Sequence, residues 1–242
     1  MRTLIVCLLI GATAGAVHSV DPLRVGHFSA ADTTGMLPHG WESLAFTSID
    51  QATDYRLVRL DSQRVVRAQS AGGASGLVTR RTVDPSAYPV LEWSWRAESV
   101  VEAADATRKA TDDYAARLYL LFDYTPSGLG ARLKLGALRA LGYDEIPARA
   151  LCYIWATRAP KGQFLPSPYT DWVMMLPVES GPQHTGTWRT YRRNIVADYR
   201  AAFGGDGPVP PINGVALMTD TDNTGGTATT YYGDIVFHNG TL

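Results

Sequence analysis

The chain has 242 residues, 45% of them hydrophobic and 19% charged, which is enough apolar material to build a core and excludes wholesale disorder. Lys plus Arg number 22 against 23 Asp plus Glu, a formal net charge of −1, so no bulk positive field directs the chain to nucleic acid or anionic lipid. Within those totals 17 acids are Asp and 6 are Glu, beside 6 Trp and 12 Tyr. Asp favours loops, caps and cation sites, while Trp and Tyr fill β-cores or stack on sugars, so these counts suggest a secreted, β-rich domain.

At the N-terminus a basic Met1-Arg2-Thr3 precedes an apolar run over residues 4–10 and the small-residue patterns Ala12-Thr13-Ala14 and Ala14-Gly15-Ala16. This reads as a secretory signal over residues 1–16, leaving residues 17–242 as an expected single domain, periplasmic or extracellular. The run is too short to cross a bilayer and no later one approaches the required ~20 residues, so no membrane span is expected. Cys7 leaves with the signal, and Cys152, in an apolar stretch, reads as a buried, inert thiol rather than a nucleophile.

Short apolar or alternating runs, divided by Gly, Pro, Asp and Asn, then follow over residues 24–28, 55–60, 64–69, 76–83, 90–95, 115–122, 151–156, 172–176, 188–193, 214–219 and 229–237. This spacing predicts a mainly β fold, a jelly-roll-like antiparallel β-sandwich, with Asp61-Ser62 as a hairpin turn. Residues 102–113 are polar and predict a loop or one exposed turn. Two short helices are expected: residues 129–141, where Leu and Ala recur every fourth position, and 195–203, capped by Asn194 and stopped by Gly204-Gly205.

Alternation gives each strand two faces. Over residues 115–123, Leu118, Leu120 and Phe122 form a core side, while Arg117, Tyr119, Leu121 and Asp123 form a second side, either a shallow binding face or a solvated outer face. Trp93 and Trp95 share a face, as do Tyr153 and Trp155; each pair either packs in the core or stacks on sugar rings. Asp234, in an otherwise apolar strand, needs a partner such as Arg117 or Arg193.

The segment Asp220-Thr221-Asp222-Asn223-Thr224-Gly225 clusters oxygen-bearing side chains in a Gly-terminated loop. It is not an EF-hand: Tyr231 stands where a bidentate Glu belongs, and the flanks are strands. It reads as a polar turn held by Asx and Thr hydrogen bonds, as a Ca²⁺ site through Asp220, Asp222 and Asn223, or as a source of ligand-contacting carboxylates. Asp112-Asp113 and Asp123 flank one strand and offer acid–base pairs if they converge with Asp220. No Gly-x-Ser-x-Gly elbow, phosphate loop, His-Glu-x-x-His or Cys-x-x-Cys occurs, and the histidines are scattered.

Tyr153-Ile154-Trp155-Ala156, the run from Val196 to Gly204, the run from Ile212 to Gly225, and Tyr231-Tyr232-Gly233-Asp234-Ile235-Val236-Phe237 resemble the bacterial domain-of-unknown-function family 3047, over about Val25 to Phe237. The resemblance implies an exported β-sandwich and assigns no catalytic residue. The closing Tyr-Tyr-Gly-Asp-Ile is also similar to the last strand of galactose-binding-like jelly rolls and of several carbohydrate-binding modules. The expected function is binding of a carbohydrate or related cell-envelope ligand. Trp93, Trp95, Trp155 and Tyr119 would stack, and Arg117, Asp123, Asp220, Asp222 and Asn223 would supply polar contacts, with Ca²⁺ compatible but not required. The alternatives are a glycoside hydrolase or polysaccharide lyase using Asp112, Asp113, Asp123 or Asp220, and a structural periplasmic interaction protein.

Overall fold

A computed structural model describes residues 21–125, 130, 149–240 and 242. The segment expected to be a secretory signal (1–16) and the helix expected over 129–141 lie outside the described residues, apart from Gly130. Thirteen strands lie among the described residues: β1 (Leu23–Gly26), β2 (Glu42–Ala45), β3 (Asp54–Leu60), β4 (Gln63–Ala71), β5 (Ser75–Thr79), β6 (Val90–Ala97), β7 (Tyr114–Phe122), β8 (Ala150–Ala156), β9 (Leu165–Ser167), β10 (Thr170–Ser180), β11 (Arg189–Asn194), β12 (Ile212–Asp220) and β13 (Thr227–His238). Helix α1 (Ile195–Phe203) follows β11. All eleven runs read from the sequence are strands; β2 and β9, of four and three residues, were not anticipated. Both are short edge strands, too brief to show alternation.

The strands form two sheets, β11-β6-β13-β4-β3 with β1 alongside β13, and β2-β5-β12-β7-β8-β10-β9. Successive strands from β4 to β7 and from β11 to β13 switch sheets, the jelly-roll habit, which buries one face of each strand between the layers. One expectation is corrected: β8 and β10 pair in parallel, so the sandwich is not wholly antiparallel. All seven residues of β8 are buried, as suits a strand covered on both faces. Leu151, Tyr153 and Trp155 enter the inter-sheet core, and Ala150, Cys152, Ile154 and Ala156 join a smaller apolar cluster on the outer face with Tyr114 and Met175. Burial pushes the Cys152 thiol up to about 12, which keeps it protonated and inert.

The core is an aromatic lattice. Trp93 lies 4.8 Å from Tyr153 of the opposite sheet, 5.3 Å from Tyr191 and 5.6 Å from Trp95, and Trp95 lies 6.4 Å from Tyr232. Local signals set the connections. Asn194 accepts the Ala197 amide at 2.9 Å to start α1, and Gly204, at φ 72°, ends it by donating to the Arg200 carbonyl. The polar 102–113 stretch is a loop with a 3₁₀ turn at Lys109–Thr111. Asp234 is paired with Ser29 rather than with Arg117 or Arg193: its carboxylate accepts the Ser29 amide at 2.8 Å and hydroxyl at 2.6 Å. Arg193 instead binds Asp198.

At one margin Glu179, on β10 just past a bulge, ties the layers together. Its carboxylate is within 2.9 Å of Lys161 Nζ and Tyr191 Oη, 3.2 Å of His184 Nδ1 and 3.3 Å of Arg189 Nε. Burial opposes ionisation, but hydrogen bonds from Lys161, Tyr191, the Ser180 amide and His184 outweigh it and hold the group down at about 2. The lowered value means stability that is present above the ordinary carboxylate range and lost as pH falls toward 2. Glu179→Gln is expected to cost about 2–3 kcal/mol at neutral pH, a deficit that narrows as pH falls from about 5 toward 2; denaturant titrations across that range would read it.

Asp61 and Ser62 close the β3–β4 hairpin with φ of 50° and 68°, the left-handed pair of a type I′ turn. Ser62→Gly removes a side chain from that region while keeping Asp61, which accepts from Arg96. It is expected to stabilise by about 1 kcal/mol, seen as a higher denaturation midpoint at unchanged slope.

Candidate functional site

The outer face of the seven-stranded sheet carries a groove of about 480 Å³. Its floor is Arg117, Tyr119 and Leu121 of β7 with Ala216 and Met218 of β12. One wall is β2 and the loop after it, including Leu44, Phe46 and Ile49; the other is the β9–β10 turn, with Ser167, Tyr169 and Thr170. Asp112, Asp220, Asp222 and Asn223 close one end. The second face of β7 is thus a groove floor.

A bulge in β7 builds the polar end. Met218 stands opposite Arg117 and Asp220 opposite Tyr114, so two residues of β7, Ala115 and Ala116, stand against one of β12, Thr219. The extra residue reverses the alternation, placing Tyr114 on the same side as Arg117, with the guanidinium 4.0 Å above its ring. It also takes the Ala115 carbonyl out of the ladder, where the hydroxyls of Thr219 and Thr230 donate to it at 2.8 and 2.6 Å.

Arg117 is buried and its five N–H groups all meet acceptors. Nε donates to Asp220 at 2.9 Å, Nη2 to the other Asp220 oxygen and to the Asp112 carbonyl, and Nη1 to Tyr119 Oη at 3.0 Å and Asp112 Oδ2 at 3.4 Å. Burial alone would lower its pKa, but Asp220, Tyr119, Asp112 and Tyr114 together hold it well above the ordinary value, so it stays a cation. Asp112 also accepts from Tyr114 Oη at 2.8 Å. Burial raises the Asp112 pKa against the pull of Arg117; burial and the adjacent Asp113 raise that of Asp222.

Behind these, Asp113 latches the 220–226 loop. One oxygen accepts from the Thr224 amide at 2.7 Å and hydroxyl at 2.6 Å; the other accepts from the Asn223 amide at 3.2 Å and Nδ2 at 3.3 Å. The loop is a polar turn, but it is held by Asp113 from outside and by the Gly225 amide donating to the Thr221 carbonyl at 2.9 Å, rather than by the loop's own Asx side chains, so its own residues did not reveal its partner. Oxygens of Asp113, Asp220 and Asp222 lie within 4.8 Å of one another. This set differs from the expected Asp220, Asp222 and Asn223, because Asn223 turns Nδ2 toward Asp113 and Asp222 and its Oδ1 accepts from Tyr169 at 3.3 Å. Ca²⁺ takes 6–8 oxygens, and here it would compete with Arg117 and the loop donors for most of those on offer.

Five of the nine expected ligand contacts, Arg117, Tyr119, Asp220, Asp222 and Asn223, come together at the groove. Four do not. Trp93, Trp95 and Trp155 are at most 1% exposed, packed between the sheets, and present no face to a ligand. Asp123 is exposed past the far end of β7, where its amide donates to the Pro211 carbonyl. Tyr169 and Phe46 were missed because they sit in or beside the two strands without alternation.

Removing Arg117 leaves buried carboxylates without a counter-charge. Arg117→Met is expected to cost about 3–5 kcal/mol at pH 7. The deficit should shrink as pH falls toward 4, because the orphaned carboxyls then fold protonated. Denaturation at both pH values would show this; a deficit independent of pH would mean that lost packing, not charge, is responsible.

The chain belongs to the family described as Protein of unknown function (DUF3047), which it matches over residues 39–236. No curated protein is significantly similar in sequence. Solved structures similar to the chain include the glycoside hydrolase domain of Endo-D from Streptococcus pneumoniae R6, at 9% identity and TM-score 0.34, covering 84% of this chain and 22% of that one. Another is endoglucanase 3 of family GH12 from Trichoderma harzianum, at 8% identity and TM-score 0.42, covering 91% of this chain and 98% of that one.

Proposed function

We propose that this member of a family of unknown function is an exported protein whose groove binds a carbohydrate or related cell-envelope ligand. One observation carries the reading: a single groove joins the aromatic side chains Phe46, Tyr119 and Tyr169 to hydrogen-bonding groups held in fixed positions. Sugar C–H faces pack on aromatic rings, and sugar hydroxyls need acceptors that do not move. Asp222 and Asn223 offer such groups on a loop latched by Asp113, and Arg117 fixes Asp112 and Tyr119. Binding fits better than acid–base catalysis by the acids first considered. Every carboxylate oxygen of Asp112, Asp113 and Asp220 already accepts from a protein donor, and Asp123 stands past the end of β7 and does not line the groove.

A glycan array followed by calorimetry tests the reading. Tyr169→Ala should weaken the best ligand about tenfold, a loss of about 1.4 kcal/mol, whereas Trp93→Phe should alter stability and leave affinity alone. Absence of binding across neutral, acidic and amino glycans would overturn it, and release of shortened products would reassign it to an enzyme. No cation is required. Repeating the titration with CaCl₂ and with a chelator decides the point, since tighter binding with calcium would assign the ion to Asp113, Asp220 and Asp222.

A further inference from the structure

The charge balance of the groove goes beyond its affinity for sugars in general. Asp112, Asp220 and Asp222 line it and Asp113 lies directly behind, while the cation among its described lining residues is Arg117. A ligand anion, such as a uronate or a sulfate, would need a free N–H donor on that guanidinium. None remains, because all five are directed at Asp220, Asp112 and Tyr119. Lys109, another cation, stands over the ring of Tyr169 at 4.6 Å. Asp222 is half-buried in the groove wall, and the hydrogen bond its carboxylate accepts from Asn223 at 3.3 Å leaves lone pairs for a ligand. From Arg117 and Met218 at this end the floor runs on to the apolar Ala216 and Leu121, which lower the dielectric along the groove and strengthen the interaction of a charge placed there.

We propose that the groove selects glycans bearing protonated amines, amino sugars, over neutral glycans and rejects acidic ones, with Asp222 as the residue that meets the ammonium. This rests on the carbohydrate reading above. An ammonium brings three donors and a positive charge to a site whose acids outnumber its cations; a neutral sugar brings donors only, and a uronate brings a second anion.

The test is calorimetry with three tetrasaccharides: glucosamine, N-acetylglucosamine and galacturonate, at a pH where the free amine is protonated, in low and in physiological salt. The glucosamine oligomer should bind at least about tenfold more tightly than its acetylated counterpart, a preference that weakens with salt, and the galacturonate should not bind. Asp222→Asn keeps the shape and removes the charge, and should cut that preference to less than about threefold. Circular dichroism confirms folding of the variant, and Asp222→Ser, which also removes the charge, serves if it does not fold.

Equal binding of the free-amine and acetylated oligomers, both weakened by Tyr169→Ala, would overturn the charge selection and leave the carbohydrate reading standing. Tightest binding of the galacturonate would do the same. A preference undiminished by the folded charge-removing variant would overturn the assignment to Asp222. Failure of all three oligomers, together with a blank glycan array, would overturn both readings.

Discussion

The guanidinium of Arg117 organises one end of this molecule. A buried cation is tolerated only when its charge and every N–H are answered, and here five donors meet five acceptors on Asp220, Asp112 and Tyr119 over the ring of Tyr114. Those acceptors come from the loop before β7, from the neighbouring strand β12 and from β7 itself, so the ion cluster ties that loop to the sheet. The acids in turn need the cation. Without it, Asp112 and Asp220 would be carboxylates packed beside Asp113 and Asp222 with nothing to balance them.

One extra residue in β7 makes this arrangement available. The bulge brings Tyr114 round beneath Arg117, and it frees the Ala115 carbonyl for the hydroxyls of Thr219 and Thr230. Thr230 belongs to the other sheet, so the local irregularity that shapes the groove also stitches the layers together beneath it. The groove and the core are therefore kept apart by chemistry as well as position. On the inner side of the sheet, Trp93, Trp95, Tyr153 and Tyr232 pack edge to face or tilted, with water excluded. On the outer side, ionised groups hold one another in place and leave an open channel.

Much of the architecture could be read from residue order. The eleven alternating or apolar runs are strands, Asn194 and Gly204 bound the helix after β11, and Asp61-Ser62 turns the β3–β4 hairpin, because each rests on interactions within a few residues. The edge strands β2 and β9 escaped notice because three or four residues carry no period. The parallel pairing of β8 with β10 escaped because a strand buried on both faces reads the same whichever way its neighbour runs. The Trp residues illustrate a further limit: Trp93 and Trp95 share a face, as alternation requires, but only the opposing sheet decides that the face is covered.

By itself the sequence determined the family, the two-sheet β architecture and the side of β7 that carries Arg117 and Tyr119, since periodicity and turn chemistry act over short spans. It also marked Asp112-Asp113 and Asp220-Asp222 as unusual. Only the tertiary structure decided that these acids meet one another at Arg117, that Asp113 latches the loop, and that Asp123 and the three Trp residues stand elsewhere. The meeting of Asp220 with Arg117 and of Asp113 with the loop hangs on contacts between residues 103 and 111 positions apart, set by the bulge and by the order of the strands, and no local pattern in the chain encodes them.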